Sequence, residues 1–258
     1  MNKLNLKNTA EELIDTFLKA GETAREISKK GVKITIKPDK TPVTDGDLAV
    51  DRILRIKIRN LTPNIPIISE ETVDLSRENK NKDFWLIDPI DGTRDYIQKK
   101  DEYTLNAALV INKKPVLGII YAPAKKRLFF SYGKNLAFEI SNGKKKKLNG
   151  KKIKKNKIIG LEHSGKLSDE VLNIYKKYKV THTFKMSSSL KFCVIAAGEA
   201  DIYAANARAF EWDIAAGQAI LEHAGGSVTD HYKKKIPYGK KNYKNLPLIA
   251  KRKVNLEN

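Results

Sequence analysis

A single cysteine, Cys193, in 258 residues leaves no internal disulfide to form. Nothing here depends on oxidation, and a reducing compartment suits the chain. Histidine is nearly as scarce: His163, His182, His223 and His231 show no zinc spacing. Long apolar runs are missing too. Residues 107–111 and 116–121 are far short of the roughly 20 needed to cross a bilayer. The start, Met1-Asn2-Lys3-Leu4-Asn5-Leu6-Lys7, has no apolar leader segment. No glycine-rich dinucleotide or P-loop fingerprint occurs, nor any internal repeat. These gaps point to a cytoplasmic protein with no transmembrane segment.

What is abundant is positive charge. Lys and Arg number 50 against 30 Asp and Glu, a formal net charge of +20. Much of the excess lies in Lys144 to Lys147 and in Lys151, Lys152, Lys154, Lys155 and Lys157. Such a stretch can attract nucleic acid, an anionic membrane surface or a polyanionic small substrate, or it can be a solvated lysine surface. Few aromatics accompany it and no base-reading motif is present, so nucleic acid is not expected. Loose attachment to a membrane surface stays open. The hydrophobic content of 41% allows a real core. The length suits one large domain or two closely packed halves.

Periodicity predicts an amphipathic helix over 9–30, with Thr9 and Glu12 as a capping box and Gly31 as its stop. A second helix is expected over 45–61 with Thr44 as N-cap, then a short strand over 65–68 and a polar surface loop over 73–83. Strands at 103–111, 116–121, 127–132 and 135–140, with turn chemistry between them, make an antiparallel meander. Later, strands at 158–162, 181–184, 202–204 and 227–229 alternate with helices at 168–178, 188–198 and 213–223, as in an α/β layer. The lysine-rich stretch 142–157 is the candidate seam. The expected division is 1–145, an α+β half, and 146–258, an α/β half, in one compact unit.

The run Trp85-Leu86-Ile87-Asp88-Pro89-Ile90-Asp91-Gly92-Thr93 carries the chemistry. Two acids end an apolar strand, where unpaired charge is expensive. A capping turn explains one of them. Divalent ions that take carboxylate, carbonyl and phosphate oxygens explain both, with the Ile90 carbonyl adding an oxygen. Gly92 and Thr93 would then open a helix whose N–H groups face a phosphate. Glu70 and Glu71 end the preceding strand. Neighbours on a strand point to opposite faces, so at most one joins the site, and the residues alone do not choose. Asp47 reads equally as a helix-start acid after Thr44 and as a site carboxylate, and Asp45 is a second helix-start acid. Asp213, after Trp212, gains meaning only if the fold brings it beside Asp91. Ser187, Ser188, Ser189 and Lys191 precede a helix and read as an N-cap or as anion contacts. Cys193 fits a helix core, and His163 and His182 have no visible partner.

Asp88-Pro89-Ile90-Asp91-Gly92-Thr93 and Trp212-Asp213-Ile214-Ala215-Ala216-Gly217, followed by Ala224-Gly225-Gly226, resemble the two motifs of the inositol monophosphatase superfamily. These are metal-dependent, lithium-sensitive phosphomonoesterases. Thr41 to Asp47, Leu61 to Glu71 and Ser188 to Cys193 resemble its branch of CysQ-type 3'(2'),5'-bisphosphate nucleotidases. The resemblance implies an α/β (α+β layered) fold, the αβαβα sandwich of that superfamily. It implies two or three Mg²⁺ ions on Glu70, Asp88, the Ile90 carbonyl, Asp91 and Asp213, and so selects Glu70 over Glu71. Asp47 would lie near an additional metal and the attacking water. Thr93 would orient that water. Gly92 and Thr93 would donate N–H groups to the scissile phosphate, and Ser188, Ser189 and Lys191 would face the nucleotide. The segment Tyr203 to Glu211 departs from the branch, which often has Pro-Arg and Gly-Pro-Thr there. Arg208 is the candidate substitute for the missing arginine. The implied reaction is hydrolysis of 3'-phosphoadenosine 5'-phosphate to AMP and phosphate without a phospho-enzyme, by a monomer or homodimer. An inositol or sugar phosphatase on the same fold and a basic, non-catalytic polyanion binder are the rivals.

Overall fold

The computed structural model describes residues 4–76, 79–150, 157–163 and 167–252. The lysines at 151, 152, 154 and 155 lie outside them. The first helix, α1 (Leu6–Lys30), begins a turn earlier than Thr9 predicts. Asn5 is its cap, accepting from Asn8 N at 3.1 Å, while the Thr9 hydroxyl donates to the Asn5 carbonyl inside the first turn. Asn is as good a cap as Thr, and the extra turn lets Leu6 pack on the core. Gly31 ends the helix at φ 96°, a left-handed conformation that favours glycine.

A hairpin, β1 (Ile34–Ile36) and β2 (Pro42–Thr44), leads into α2 (Asp45–Leu61), capped by Thr44 as expected. Next come β3 (Ile67–Ser69), β4 (Phe84–Asp91) and the short α3 (Thr93–Ile97). The meander follows: β5 (Thr104–Ile111), β6 (Lys114–Ala122), β7 (Arg127–Ser131), β8 (Ala137–Ser141) and β9 (Lys144–Lys147). The second half holds β10 (Ile159–Glu162), α4 (Asp169–Lys177), β11 (His182–Lys185), α5 (Leu190–Ala196), β12 (Ile202–Ala205), α6 (Glu211–His223), β13 (Ser227–Asp230) and β14 (Leu248–Lys251).

Two findings depart from expectation. Lys144–Lys147 is no connection but an edge strand paired with β8, with all four lysines exposed. Lys145 Nζ stands 4.5 Å from the Phe138 ring centre and 5.1 Å from that of Phe130, so its ammonium rests on aromatic faces at a sheet edge that the lysines keep charged. The last strand, Leu248–Lys251, is too short to show periodicity, yet it pairs with both β12 and β13.

The sheets run β3-β4-β5-β6-β7-β8-β9 and β11-β10-β12-β14-β13. Alternation along β4 sets the layers. Trp85 and Ile87 join Leu13, Phe17, Leu54 and Ile58 of α1 and α2 in one core. Phe84 and Leu86 join Phe192, Ile220 and Leu221 of α5 and α6 in another, together with Leu161, Tyr203 and Ala250 of the second sheet. Beyond that sheet, Val171 and Tyr175 of α4 pack on Ile202 and Ile249. The order is helix, sheet, helix, sheet, helix. Close packing explains the motif glycines: a Cβ on Gly217 would lie 2.5 Å from the Phe192 ring, and one on Gly46 would overlap Tyr96.

Candidate functional site

In a regular strand Asp88 and Asp91, three apart, would face opposite ways. They do not, because β4 is irregular here. Asp88 pairs with Asn106 and Asp91 with Thr104, so three residues of β4 span two of β5. The extra residue is a β-bulge beside Pro89, which could not donate to a regular ladder. Asn106 and Thr104 share a face, so both aspartates turn toward α5 and α6. The Ile90 side chain is thrown into the opposite core.

Glu70 follows β3, its N–H donating to the Ile87 carbonyl at 3.1 Å. Carboxylate oxygens of Glu70, Asp88 and Asp213 lie within 4.8 Å of one another. Asp213 sits in the first turn of α6 and accepts from Phe210 N at 2.8 Å, which leaves its other oxygen for the cluster. Glu71 is turned away and pairs with Lys37 at 2.9 Å. Asp47 caps α2 and also reaches Thr93. Its Oδ2 accepts from Thr44 N at 2.7 Å as part of a capping box, and its Oδ1 accepts from the Thr93 hydroxyl at 3.3 Å. That hydroxyl also lies 3.1 Å from the Ile90 carbonyl. Gly92 precedes α3 at φ 91°, the left-handed turn that opens the helix.

Burial and mutual repulsion push this cluster out of the ordinary carboxylate range. Asp88 is raised well above it, by desolvation and then by Glu70, Asp91 and Asp213. Asp213 is raised in the same way by burial, Asp91 and Glu70. Burial raises Asp91 too, with Lys191 and the Ser189 N–H pulling against it. Burial lifts Asp47 to about 6. Asp88 Oδ1 is buried and receives no hydrogen bond. A folded protein rarely leaves such an atom alone. Hard oxygen donors gathered this way, one of them lacking any proton donor, fit Mg²⁺.

Ser189, the cap residue of α5, makes no side-chain cap hydrogen bond, while Ser188 Oγ accepts from Leu190 N at 3.4 Å. Ser189 N donates to Asp91 Oδ2, and Ser189 Oγ donates to Asn106 Oδ1 at 2.7 Å and lies 2.9 Å from Thr104 Oγ1. The start of α5 is thereby tied to the bulged strand. Ser188 is held in the left-handed region at φ 54°. Its carbonyl and that of Met186 accept from Lys191 Nζ, which stands 5.0 Å from the Tyr203 ring. Burial brings this lysine down to about 8. A pocket opens beside Asp91 and Asp213, lined also by His163, Ser189, Lys191, Tyr203 and Arg208. Arg208 is exposed at its mouth. His163, for which the sequence showed no partner, lines this pocket, held down to about 4 by burial and by Lys191 and Arg208. His182 contacts Lys157 and Thr181 and does not line this pocket. Asn106 carried one unread signal: it is a polar residue within the apolar run of β5. Lys37, in a hydrophilic turn, carried none.

A sequence profile described as "Inositol monophosphatase family" matches residues 5–257. The chain is 36% identical over 242 residues to the 3'(2'),5'-bisphosphate nucleotidase CysQ of Buchnera aphidicola subsp. Acyrthosiphon pisum, covering 88% of this chain and 89% of that one. It is 31% identical over 223 residues to the protein of the same name from Escherichia coli strain K12, covering 85% and 89%. The crystal structure of CysQ from Bacteroides thetaiotaomicron superposes with a TM-score of 0.78 at 29% identity, over 96% of this chain and 98% of that one. Among the described residues no helix is long and apolar enough to cross a membrane.

Proposed function

Because the chain belongs to the inositol monophosphatase family, we propose that it is a metal-dependent 3'(2'),5'-bisphosphate nucleotidase. It hydrolyses the 3'-phosphate of 3'-phosphoadenosine 5'-phosphate to AMP and phosphate. The observation that carries this reading is the bulge at Asp88–Asp91. It turns Asp88 and Asp91 to one face, where Asp88 meets Glu70 and Asp213 and keeps its Oδ1 without a proton donor. Glu70, Asp88, the Ile90 carbonyl, Asp91 and Asp213 would hold two or three Mg²⁺ ions. When bound, these ions neutralise the phosphate and make a bound water more acidic.

The chain's own groups do the rest. The Thr93 hydroxyl donates to Asp47 Oδ1, which leaves its lone pairs to orient the attacking water. Asp47 is the proton acceptor at the end of that short chain. Water attacks phosphorus in line and loses its proton toward Asp47, the P–O3' bond breaks, and the departing 3'-oxygen takes a proton from solvent water. The first-turn N–H groups of Gly92 and Thr93 are aimed at the phosphate. Lys191, with Ser188 and Ser189 around it and Arg208 at the mouth, receives the nucleotide. Cys193 is sealed in the core of α5, which accords with a reaction that uses no protein nucleophile. A free, buried thiol also suits the reducing cytoplasm.

The test is phosphate release from 3'-phosphoadenosine 5'-phosphate and from inositol 1-phosphate, each with Mg²⁺, with and without Li⁺. Turnover of the nucleotide, blocked by lithium, is expected. Preference for inositol 1-phosphate would reject the nucleotide and keep the metal centre. No Mg²⁺-dependent turnover of any phosphomonoester would reject the reading.

A further inference from the structure

The β1–β2 hairpin carries a lysine into the acid cluster, and the metal centre described above makes no use of it. Lys37 Nζ lies 3.1 Å from Glu70 Oε1 and 2.9 Å from Glu71 Oε2. The turn beneath it is closely bonded. Lys37 N donates to the Thr41 carbonyl at 2.8 Å and Lys40 N to the Lys37 carbonyl at 2.9 Å. Asp39 Oδ1 accepts from Thr41 N at 3.0 Å and Thr41 Oγ1 at 2.6 Å. The two glutamates differ. The Glu71 side chain is 4% exposed and lies outside the Glu70–Asp88–Asp213 cluster, whereas that of Glu70 is 28% exposed and meets Asp88 and Asp213.

An ammonium and a divalent ion on one carboxylate repel each other, and partial burial screens that repulsion poorly. Glu71 faces no such competition. Resting on the metal centre proposed above, we propose that Lys37 is a built-in counter-cation of the cluster, anchored on Glu71, which occupies Glu70 in the metal-free protein and yields it as ions bind. Lys37 is then a positioning residue. It quiets repulsion among the acids before metal arrives, and it sets how tightly the ions are held. The same hairpin ends at Thr44, whose N–H and hydroxyl hold Asp47, so the lysine and the proposed proton acceptor hang from one strand pair.

The test is calorimetric titration of the purified protein with Mg²⁺ and Mn²⁺, without substrate. Lys37→Met should bind the ions roughly three- to tenfold more tightly, and its metal-free form should melt lower than the unaltered protein. Glu71→Gln removes the anchor and leaves the lysine to Glu70 alone, so it should bind the ions more weakly. Opposite signs from two neighbouring substitutions are not the pattern of general structural damage. Binding by Lys37→Met that is no tighter, or by Glu71→Gln that is no weaker, overturns the inference and leaves the metal centre standing. Equal ion binding by the unaltered protein and Asp88→Asn overturns both.

Discussion

Two sets of buried carboxylates, which share the first turn of α6 at Glu211 and Asp213, are treated differently. Asp201 accepts from Ile159 N at 2.7 Å and is paired with the buried Arg252. Glu211 accepts from Gly239 N at 2.8 Å and Lys240 N at 2.9 Å, with Lys240 Nζ 2.8 Å away. Both are compensated by the protein itself and join loops and strands together. Asp88, Asp91 and Asp213 lie near enough to raise one another's pKa, and Asp88 Oδ1 has no donor at all. A core can tolerate buried charge when partners are built in. Where they are not, the deficit marks a place meant for something else.

The sharpest way to break this contrast is to remove one acid from each set. Asp91→Asn should cut phosphate release by roughly a hundredfold to a thousandfold, while the metal-free protein folds and melts no lower, because a repulsive charge is gone. Asp201→Asn should do the reverse. Leaving Arg252 buried without its partner should cost about 3–5 kcal/mol of stability, measured by urea unfolding, with turnover per folded molecule largely kept. If both variants lost stability alike and kept activity alike, the distinction would be wrong.

Added Mg²⁺ should act on one set alone. At about a hundred times its dissociation constant it should stabilise the fold by about 2.7 kcal/mol, seen as a higher melting temperature. Asp88→Asn should lose most of that gain and Asp201→Asn should keep it. A smaller effect is expected at the pocket mouth. Lys191→Gln should raise KM for the nucleotide bisphosphate by roughly tenfold, with a lesser change for a monoester that lacks the second phosphate. Equal changes for both substrates would remove Lys191 from nucleotide recognition.

The smallest effect is one of pH. Asp47 is raised by burial from 3.8 to about 6, and Glu71 from 4.5 to about 7. A carboxyl raised on folding binds its proton more readily in the folded chain than in the unfolded one. The metal-free protein should therefore be most stable with these groups protonated. It should lose stability as pH climbs from the unfolded values near 4 through about 7, and level off above. Melting curves in chelator across that window would show a falling midpoint, and Mg²⁺ should flatten it. A midpoint that rises with pH would contradict the assignment.

Much of this was legible in residue order because it rests on local chemistry. Thr44 and Asp47 mark the start of α2, and the structure places the helix at 45–61 as the spacing predicts. Asp88 to Thr93 announces a turn between acids, and Trp212-Asp213 announces a helix start. Thr9 misled because Asn5 is an equal cap one turn earlier. The lysine run misled because charge resembles a linker, while β9 is held by backbone pairing that is indifferent to side chains.

The sequence alone determined the local elements: the cap of α2, the alternation that buries β4 on both faces, the glycines at 46, 92 and 217, and a pair of acids with no apolar reason to exist. Only the tertiary structure decided which acids meet. A one-residue bulge reverses the facing of Asp91 relative to Asp88, and register across β3 and β4 sends Glu70 inward and Glu71 to Lys37. Packing of α6 on the sheet brings Asp213 to them, well over a hundred residues away. Ser189, His163 and Lys37 gained their places the same way. Side-chain direction in a strand changes with a shift of one residue, and contacts between distant segments follow from packing, so neither can be read from spacing along the chain.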